Sequence, residues 1–374
     1  MTQEPDGERL QVEQFLRYLR ARHGAEAHIE QVQELGGEAT GAAAIKQFGY
    51  GRPLLITYQV EGQRHQEVLH TIRRTPFGRE REDDRVAAIW LDYHTFNELP
   101  RHVPALDMIG RTTDGALHSL ADLDELLLVT RYYPGAPYAG DLARIRDEGT
   151  AGDADVRRAE TLAAYIARVH GEKHGDDAHR AALWRRRLRD LIGHGEGIMG
   201  LTDSYPPDLF YAPAEELRAL EQMANRWRWR LKPLSHRLCQ VHGDFHPFNI
   251  IFDEAHNFRV LDRSRGAWGE AADDVSCLTI NYLFFSLQRQ ADLSPPFRTL
   301  WDRFWQTYFA RRPDEELLQV IQPWLAWRAL VVASPVWYPT ITVETRRTLL
   351  TFARRVMESE RFDYQNVERY LETG

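Results

Sequence analysis

The chain has 374 residues, 43% hydrophobic and 27% charged, with 47 basic against 55 acidic side chains and a net charge of −8. That length supports a large core and two lobes or domains. The acidic balance excludes the electrostatic footprint of a nucleic-acid binder, and the longest apolar runs, such as residues 329–333, fall far short of the roughly 20 residues needed to cross a membrane. The polar, acidic start Met1-Thr2-Gln3-Glu4-Pro5-Asp6-Gly7-Glu8 is no signal peptide. Cys239 and Cys277, the two cysteines, each sit in an apolar segment, which predicts buried thiols in a cytoplasmic protein rather than a disulfide or a metal site. Nothing in the composition fixes an oligomeric state.

Residues 8–22 carry Leu10, Val12, Phe15, Leu16 and Leu19 at helical spacing, which predicts an amphipathic helix. Short strands separated by turns follow at residues 29–35, 42–48, 54–60 and 67–73, with a Gly-rich turn at Gly36-Gly37-Glu38-Ala39-Thr40-Gly41 and another turn at Glu61-Gly62. Residues 82–98, with Val86, Ile89, Trp90, Tyr93 and Phe96, predict one helix, and the apolar run 124–133 before Pro134-Gly135 predicts a further strand. After Pro134 the pattern changes to long helices over residues 156–170, 180–192, 213–231, 272–288, 296–311 and 315–332. No repeat, low-complexity tract or long linker interrupts them, so the predicted hinge is the short segment 131–135.

The densest chemistry lies at Val241-His242-Gly243-Asp244-Phe245-His246-Pro247-Phe248-Asn249, with a second acid at Asp262 after Val260-Leu261. Residues 249–252 and 258–261 read as two strands joined by a turn at 253–257. Phosphoryl transfer needs a carboxylate to orient a hydroxyl and oxygen ligands to hold magnesium on the phosphates. Asp244 suits the first role, Asn249 and Asp262 the second. His242 and His246 stand four apart, but Gly243 and Pro247 argue against a zinc-binding helix face.

This order of motifs resembles the aminoglycoside phosphotransferase and choline kinase-like group of small-molecule kinases, whose signature is H-G-D-x-x-x-x-N, a short hairpin and a metal-binding Asp. The resemblance covers about residues 30–285 and is strongest over 241–275. It implies an α+β, two-lobed protein-kinase-like fold: a small antiparallel sheet with one main helix over residues 1–131, and a larger, mostly helical lobe over 132–374. It implies ATP and Mg2+ as cofactors, with Asp244 as catalytic base and Asn249 and Asp262 as metal ligands. By the same likeness Gly36, Gly37, Thr40 and Gly41 cover the phosphates, and Arg131 and Tyr132 belong to a hinge that meets the adenine.

The family's strand lysine is missing, since residues 67–74 read Glu-Val-Leu-His-Thr-Ile-Arg-Arg. Strand alternation makes Arg73 the candidate substitute, with Lys46 second and Glu82 as ion-pair partner. The missing lysine also motivates a rival reading, a kinase-shaped binding module that no longer catalyses. One of Asp273 and Asp274 is expected to brace the catalytic loop, and Arg263 and Arg265 are either charge stabilisers or surface arginines.

The segment 193–200 offers His194 and Glu196 near where the family's substrates sit, although an ordinary Gly-rich loop is the simpler account. The arginines Arg185, Arg186, Arg187, Arg189, Arg263 and Arg265 argue against a polycationic acceptor. The predicted acceptor is therefore a small hydroxylated metabolite, with a protein serine second and an antibiotic third. No role is assigned beyond about residue 285.

Overall fold

A computed structural model of the chain describes residues 12–35 and 53–372, in two units, Met1–Thr130 and Arg131–Gly374. In the first unit, helix α1 (Val12–His23) buries Phe15, Tyr18 and Leu19, the i, i+3, i+4 stripe that makes one helix face apolar. These residues join Ala27, Ile56 and Tyr58 in a small core against a three-stranded antiparallel sheet. Its strands β1 (His28–Glu34), β2 (Leu54–Val60) and β3 (Gln63–Leu69) pair in that order. The Gly-rich turn with Gly36, Gly37, Thr40 and Gly41, the predicted strand 42–48 and Lys46 lie outside the described residues.

Strand β3 begins and ends earlier than its apolar residues predict. Glu61 (φ 50°) and Gly62 (φ 78°) both take the left-handed conformation, the requirement of a two-residue type I′ hairpin. That turn fixes Val60 opposite Gln63, so the ladder runs out at Leu54 opposite Leu69. Arg73 therefore lies beyond the strand, and alternation does not assign it a face.

Helix α2 (Glu82–Thr95) and a 3-10 turn (Phe96–Glu98) fill the predicted helix. A short hairpin, β4 (Ile109–Arg111) with β5 (Leu117–Ser119), was not anticipated. The strand predicted over 124–133 does not form. A strand is a pairing rather than a composition, and this run has no ladder partner among the described residues, leaving Leu127, Leu128 and Val129 exposed.

The second unit begins with β6 (Ala136–Pro137), α3 (Tyr138–Glu148), α4 (Asp153–Val169), α5 (Asp177–Gly193), α6 (Ile198–Ser204) and α7 (Ala214–Leu231). Next come β7 (Cys239–Gln240), β8 (Ile250–Phe252), β9 (Phe258–Val260) and β10 (Trp268–Gly269). Strand β8 is the centre of a β6-β8-β9 sheet, and β7 pairs with β10. Helices α8 (Ala271–Leu287), α9 (Pro295–Arg311), α10 (Leu317–Val320), α11 (Gln322–Ala333) and α12 (Val343–Glu358) complete the unit.

All of α8 is buried, including Asp273, Asp274, Ser276, Thr279 and Asn281, so its polar groups need partners inside the unit. The helix predicted over 315–332 is two helices. Pro323 has no N–H to continue the ladder, so the chain restarts with proline in the first turn of α11. Helices α3, α6 and α12 were missed, being short or strongly amphipathic.

Candidate active site

The loop between β7 and β8 is held by its backbone. Gly243 has φ 89°, a conformation cheap only for glycine, and it turns the N–H groups of His242 and Gly243 towards Asp274. Both donate to the Asp274 carboxylate at 2.7 Å. Asp274 is fully buried in the first turn of α8, with His170 Nε2 at 3.1 Å and His170 Nδ1 facing the Tyr308 hydroxyl at 2.8 Å. Burial opposes the Asp274 charge, but His170 and the His242 N–H hold its pKa below the usual carboxylate range. Asp274, not Asp273, is thus the brace.

Asp273 serves a different arginine pair. Its carboxylate meets Arg187 and accepts from Arg328 Nη2 at 2.7 Å. Arg328 also donates from Nη1 to Asp244 Oδ1 at 3.0 Å and reaches the Gly243 carbonyl at 3.3 Å. Its guanidinium lies 3.9 Å from the centre of the Trp327 ring, a cation–π contact that fixes the plane of the fork.

Asp244 itself is 8% exposed. Oδ1 takes Arg265 and Arg328, with the Cys277 thiol 3.9 Å away. Oδ2 has only longer approaches, from Asn249 Nδ2 at 3.4 Å and His246 Nε2 at 3.5 Å. Burial works to raise the Asp244 pKa, yet His246, Arg328 and Arg265 together hold it far below the usual range. The carboxylate is ionised at neutral pH. Burial pushes the Cys277 thiol well up, so that it is a neutral neighbour.

The hairpin β8–β9 sets Asn249 beside the chain leading to Asp262, since the Leu261 N–H donates to the Asn249 carbonyl at 2.8 Å. Asn249 turns its amide N–H towards the Asp244 carbonyl at 3.1 Å, which leaves its side-chain oxygen as an acceptor. Asp262 is exposed in the left-handed conformation, φ 52°. An amide oxygen and a carboxylate suit magnesium, which takes one or two protein oxygens and completes its shell with water and phosphate. No cluster of three or more His, Cys, Asp or Glu occurs among the described residues, so remaining ligands would come from substrate. The donor set fits the ion.

A cavity of about 360 Å³ opens at Asp244, within the second unit. Glu196, Asp244, His246, Arg265, Asn281 and Arg328 supply its polar side, and Ile280, Val331, Val332, Trp337 and Tyr338 part of its apolar side. Glu196 therefore lines the cavity rather than an idle loop, its carboxylate 3.2 Å from Arg265. His194 is exposed and is not among the lining residues. Arg263 is exposed, the surface arginine of the two readings, and it donates to the Val241 carbonyl at 3.0 and 2.8 Å and fastens the loop.

The other described residues are placed within their own units, and in the second unit Arg131 and Tyr132 are not among the residues that line this cavity. Arg73 lies in an irregular half-buried stretch, Glu82 opens α2 with Arg85 at 3.9 Å, and Arg131 and Tyr132 are exposed. Sequence reasoning missed Arg328, Asn281, Trp337 and Tyr338. The available signal for Arg328 was its position as the lone charge in the apolar run Gln322–Ala333, where an arginine needs a buried partner.

Comparison with known proteins gives the chain a family. No curated protein matches its sequence. Similar solved structures include an ethanolamine kinase of Plasmodium vivax (14% identity, TM-score 0.36, covering 92% of this chain and 81% of that one). Others are an amicoumacin kinase in complex with AMP-PNP and Ca2+ (14%, TM-score 0.41, 95% and 98%) and a spectinomycin phosphotransferase (11%, TM-score 0.33, 97% and 98%). The model of the phosphotransferase enzyme family matches residues 57–313, and the mixed α+β architecture, with its small antiparallel sheet in the N-terminal unit, is the protein-kinase-like fold of such enzymes. That match spans well over half of the 374 residues, and the chain belongs to the phosphotransferase enzyme family.

Proposed function

We propose that the protein transfers the γ-phosphate of ATP to a hydroxyl of a small molecule bound in the cavity at Asp244. The observation that carries this reading is the inequality of the Asp244 oxygens. Oδ1 is pinned by two arginines, whereas Oδ2 has only contacts of 3.4 and 3.5 Å, long for hydrogen bonds. Oδ2 is the oxygen that accepts the hydroxyl proton as the new O–P bond forms and the bond to the leaving ADP breaks. Arg265 and Arg328 keep the base ionised, and its fixed orientation sets the line of attack.

Asn249 and Asp262 would hold magnesium, which supplies charge neutralisation on the phosphates. The sequence resemblance assigns the nucleotide to Gly36, Gly37, Thr40, Gly41, Arg73, Glu82, Arg131 and Tyr132. Of the arginines read from the sequence as a barrier to cations, Arg265 alone lines the cavity, and carboxylates occupy it.

The test is nucleotide-dependent thermal shift with and without magnesium, followed by phosphate transfer to a panel of small alcohols. Asp244→Asn is expected to lose transfer and keep the magnesium-dependent shift, whereas Asp262→Ala loses the shift. Absence of any magnesium-dependent shift in the unaltered protein would move the assignment to the non-catalytic binding module.

A further inference from the structure

Helix α8 carries polar residues that are wholly enclosed, and three of them, Ser276, Thr279 and Asn281, bond back to the helix itself. Ser276 Oγ donates to the Asp273 carbonyl at 3.0 Å and Thr279 Oγ1 to the Val275 carbonyl at 2.7 Å. Such back-bonding is how short polar side chains survive inside a helix. Asn281 does the same with Nδ2, which donates to the Cys277 carbonyl at 2.8 Å. That bond uses one amide N–H and leaves Oδ1, an acceptor without a partner, on a residue 3% exposed. Orphaned buried acceptors are rare because each costs the desolvation of an unmade hydrogen bond. Asn281 lines the cavity at Asp244, and its Oδ1 is a buried acceptor without a partner there.

The rest of the cavity narrows what brings the missing donor. Both acids on its wall are already matched: Asp244 by Arg265 and Arg328, Glu196 by Arg265. The two arginines are matched by the same contacts, so the wall offers neither sign in surplus. Apart from His246, Asn281 and the Tyr338 hydroxyl the remaining surface is apolar, and Phe248 and Trp337 stay 47% and 58% exposed on it. Asn281 stands four residues after Cys277, whose thiol abuts Asp244. Along α8 one helical turn, about 5 Å, separates Asn281 from Cys277, the residue beside the base.

We infer that the acceptor substrate is a neutral amphiphilic alcohol that carries a second hydroxyl or N–H donor about one helical turn from the hydroxyl to be phosphorylated, read by Asn281. Its apolar body lies against Val331, Val332 and Tyr338. The volume, at the low end of the roughly 300–1,000 Å³ of small-molecule sites, suits a single ring with short arms. The inference rests on the phosphotransferase reading only for the identity of the reacting hydroxyl.

Binding measured by ligand-observed NMR separates the two claims, because it needs no turnover. The probes are 1,3-benzenedimethanol, benzyl alcohol and kanamycin, against the unaltered protein, Asn281→Leu and Asn281→Ala. The dimethanol is expected to bind roughly five- to tenfold more tightly than benzyl alcohol, the worth of one buried hydrogen bond. In both variants that gap should close. Asn281→Leu removes an unsatisfied group without opening a void, so its melting temperature should equal or exceed that of the parent, and Asn281→Ala controls for overpacking.

Equal affinity for the two alcohols in the unaltered protein, a gap that survives both variants, tighter binding of kanamycin, or no binding of either alcohol would overturn the inference. If the gap behaves as expected and the dimethanol is not phosphorylated with Mg-ATP, the pocket assignment stands and the proposed transfer fails.

Discussion

Arg237 and Arg328 are 3% and 5% exposed, and each binds carboxylates from separate parts of the chain. Arg237 grips Glu270 at 2.6 and 2.9 Å, Asp314 at 3.0 Å and Glu316 at 2.9 Å. Glu270 is the N-cap of α8, so this cluster ties the start of the central helix to the turn after α9. Arg328 grips Asp273 at 2.7 Å and Asp244 at 3.0 Å. The contacts are of one kind, and the surroundings decide their use. None of the acids around Arg237 borders the cavity, whereas Asp244 does. Stabilising the charged form of an acid affects only folding when the acid is sealed in. It affects chemistry when the acid meets a molecule that arrives.

Removing the acid that faces the cavity should have the largest effect. Asp244→Asn is expected to lower kcat by about 10² to 10⁴-fold, the range for a general base, with the fold retained by circular dichroism. A loss below tenfold would remove Asp244 from the chemistry. Arg237→Met should act on the other side of the comparison. It strands Glu270 and Asp314 and is expected to cost about 3–5 kcal/mol in urea unfolding, as for other broken buried pairs. Activity per folded molecule should be unchanged. A large loss of kcat in the surviving folded fraction would erase the distinction between the two arginines.

Arg328→Lys keeps the charge but cannot span Asp244, Asp273 and the Gly243 carbonyl with one planar fork. A kcat reduction of roughly tenfold is expected, with the acid limb of the pH profile moved upward. The sign follows from Asp244, whose folded pKa lies below the unfolded value of about 3.9. Its contribution to stability is therefore complete above that value and is lost as pH falls from about 4 towards the folded value. Weakening the Arg328 contact raises the folded pKa, so activity should begin to fall at a higher pH than in the parent, while the stability contribution of Asp244 is smaller, is still lost from about 4 and is exhausted at a higher pH. An unmoved acid limb would mean that Arg328 serves the fold alone.

Arg265→Met should show the smallest effect. The Arg265 side chain is 18% exposed and Glu196 is 51% exposed, so solvent screens much of that pair and about 1 kcal/mol or less is at stake in it, while Arg328 still holds Asp244 once Arg265 is gone. Equilibrium unfolding and KM for whichever alcohol is accepted would measure it.

The meeting of Asp244 and Asn249 was legible because one loop carries both, five residues apart, and the β8–β9 hairpin that precedes Asp262 was legible from its two apolar runs. The long helices were legible from their apolar period. Arg328 was not, because its distance from Asp244 depends on how α11 packs on α8, which no local pattern encodes. Asn281 was hidden for a related reason: the satisfaction of its amide is settled only once the carbonyl of Cys277 and the cavity wall are in place. The strand predicted over 124–133 failed in the opposite direction, since composition promised a partner that the described residues do not provide. Arg73 was misjudged by four residues of register, decided by the left-handed pair Glu61 and Gly62.

The match to the family ends at residue 313, before α11 begins at Gln322. Val331, Val332, Trp337 and Tyr338, much of the apolar wall, thus come from a part of the chain outside the shared stretch. Divergence there can change which alcohol fits without touching the loop that handles phosphate. Arg328 is the exception, because it joins this stretch to the base. Descendants of this chain are free to explore new acceptors along α11 in all but one side chain, and that side chain holds the two inheritances together.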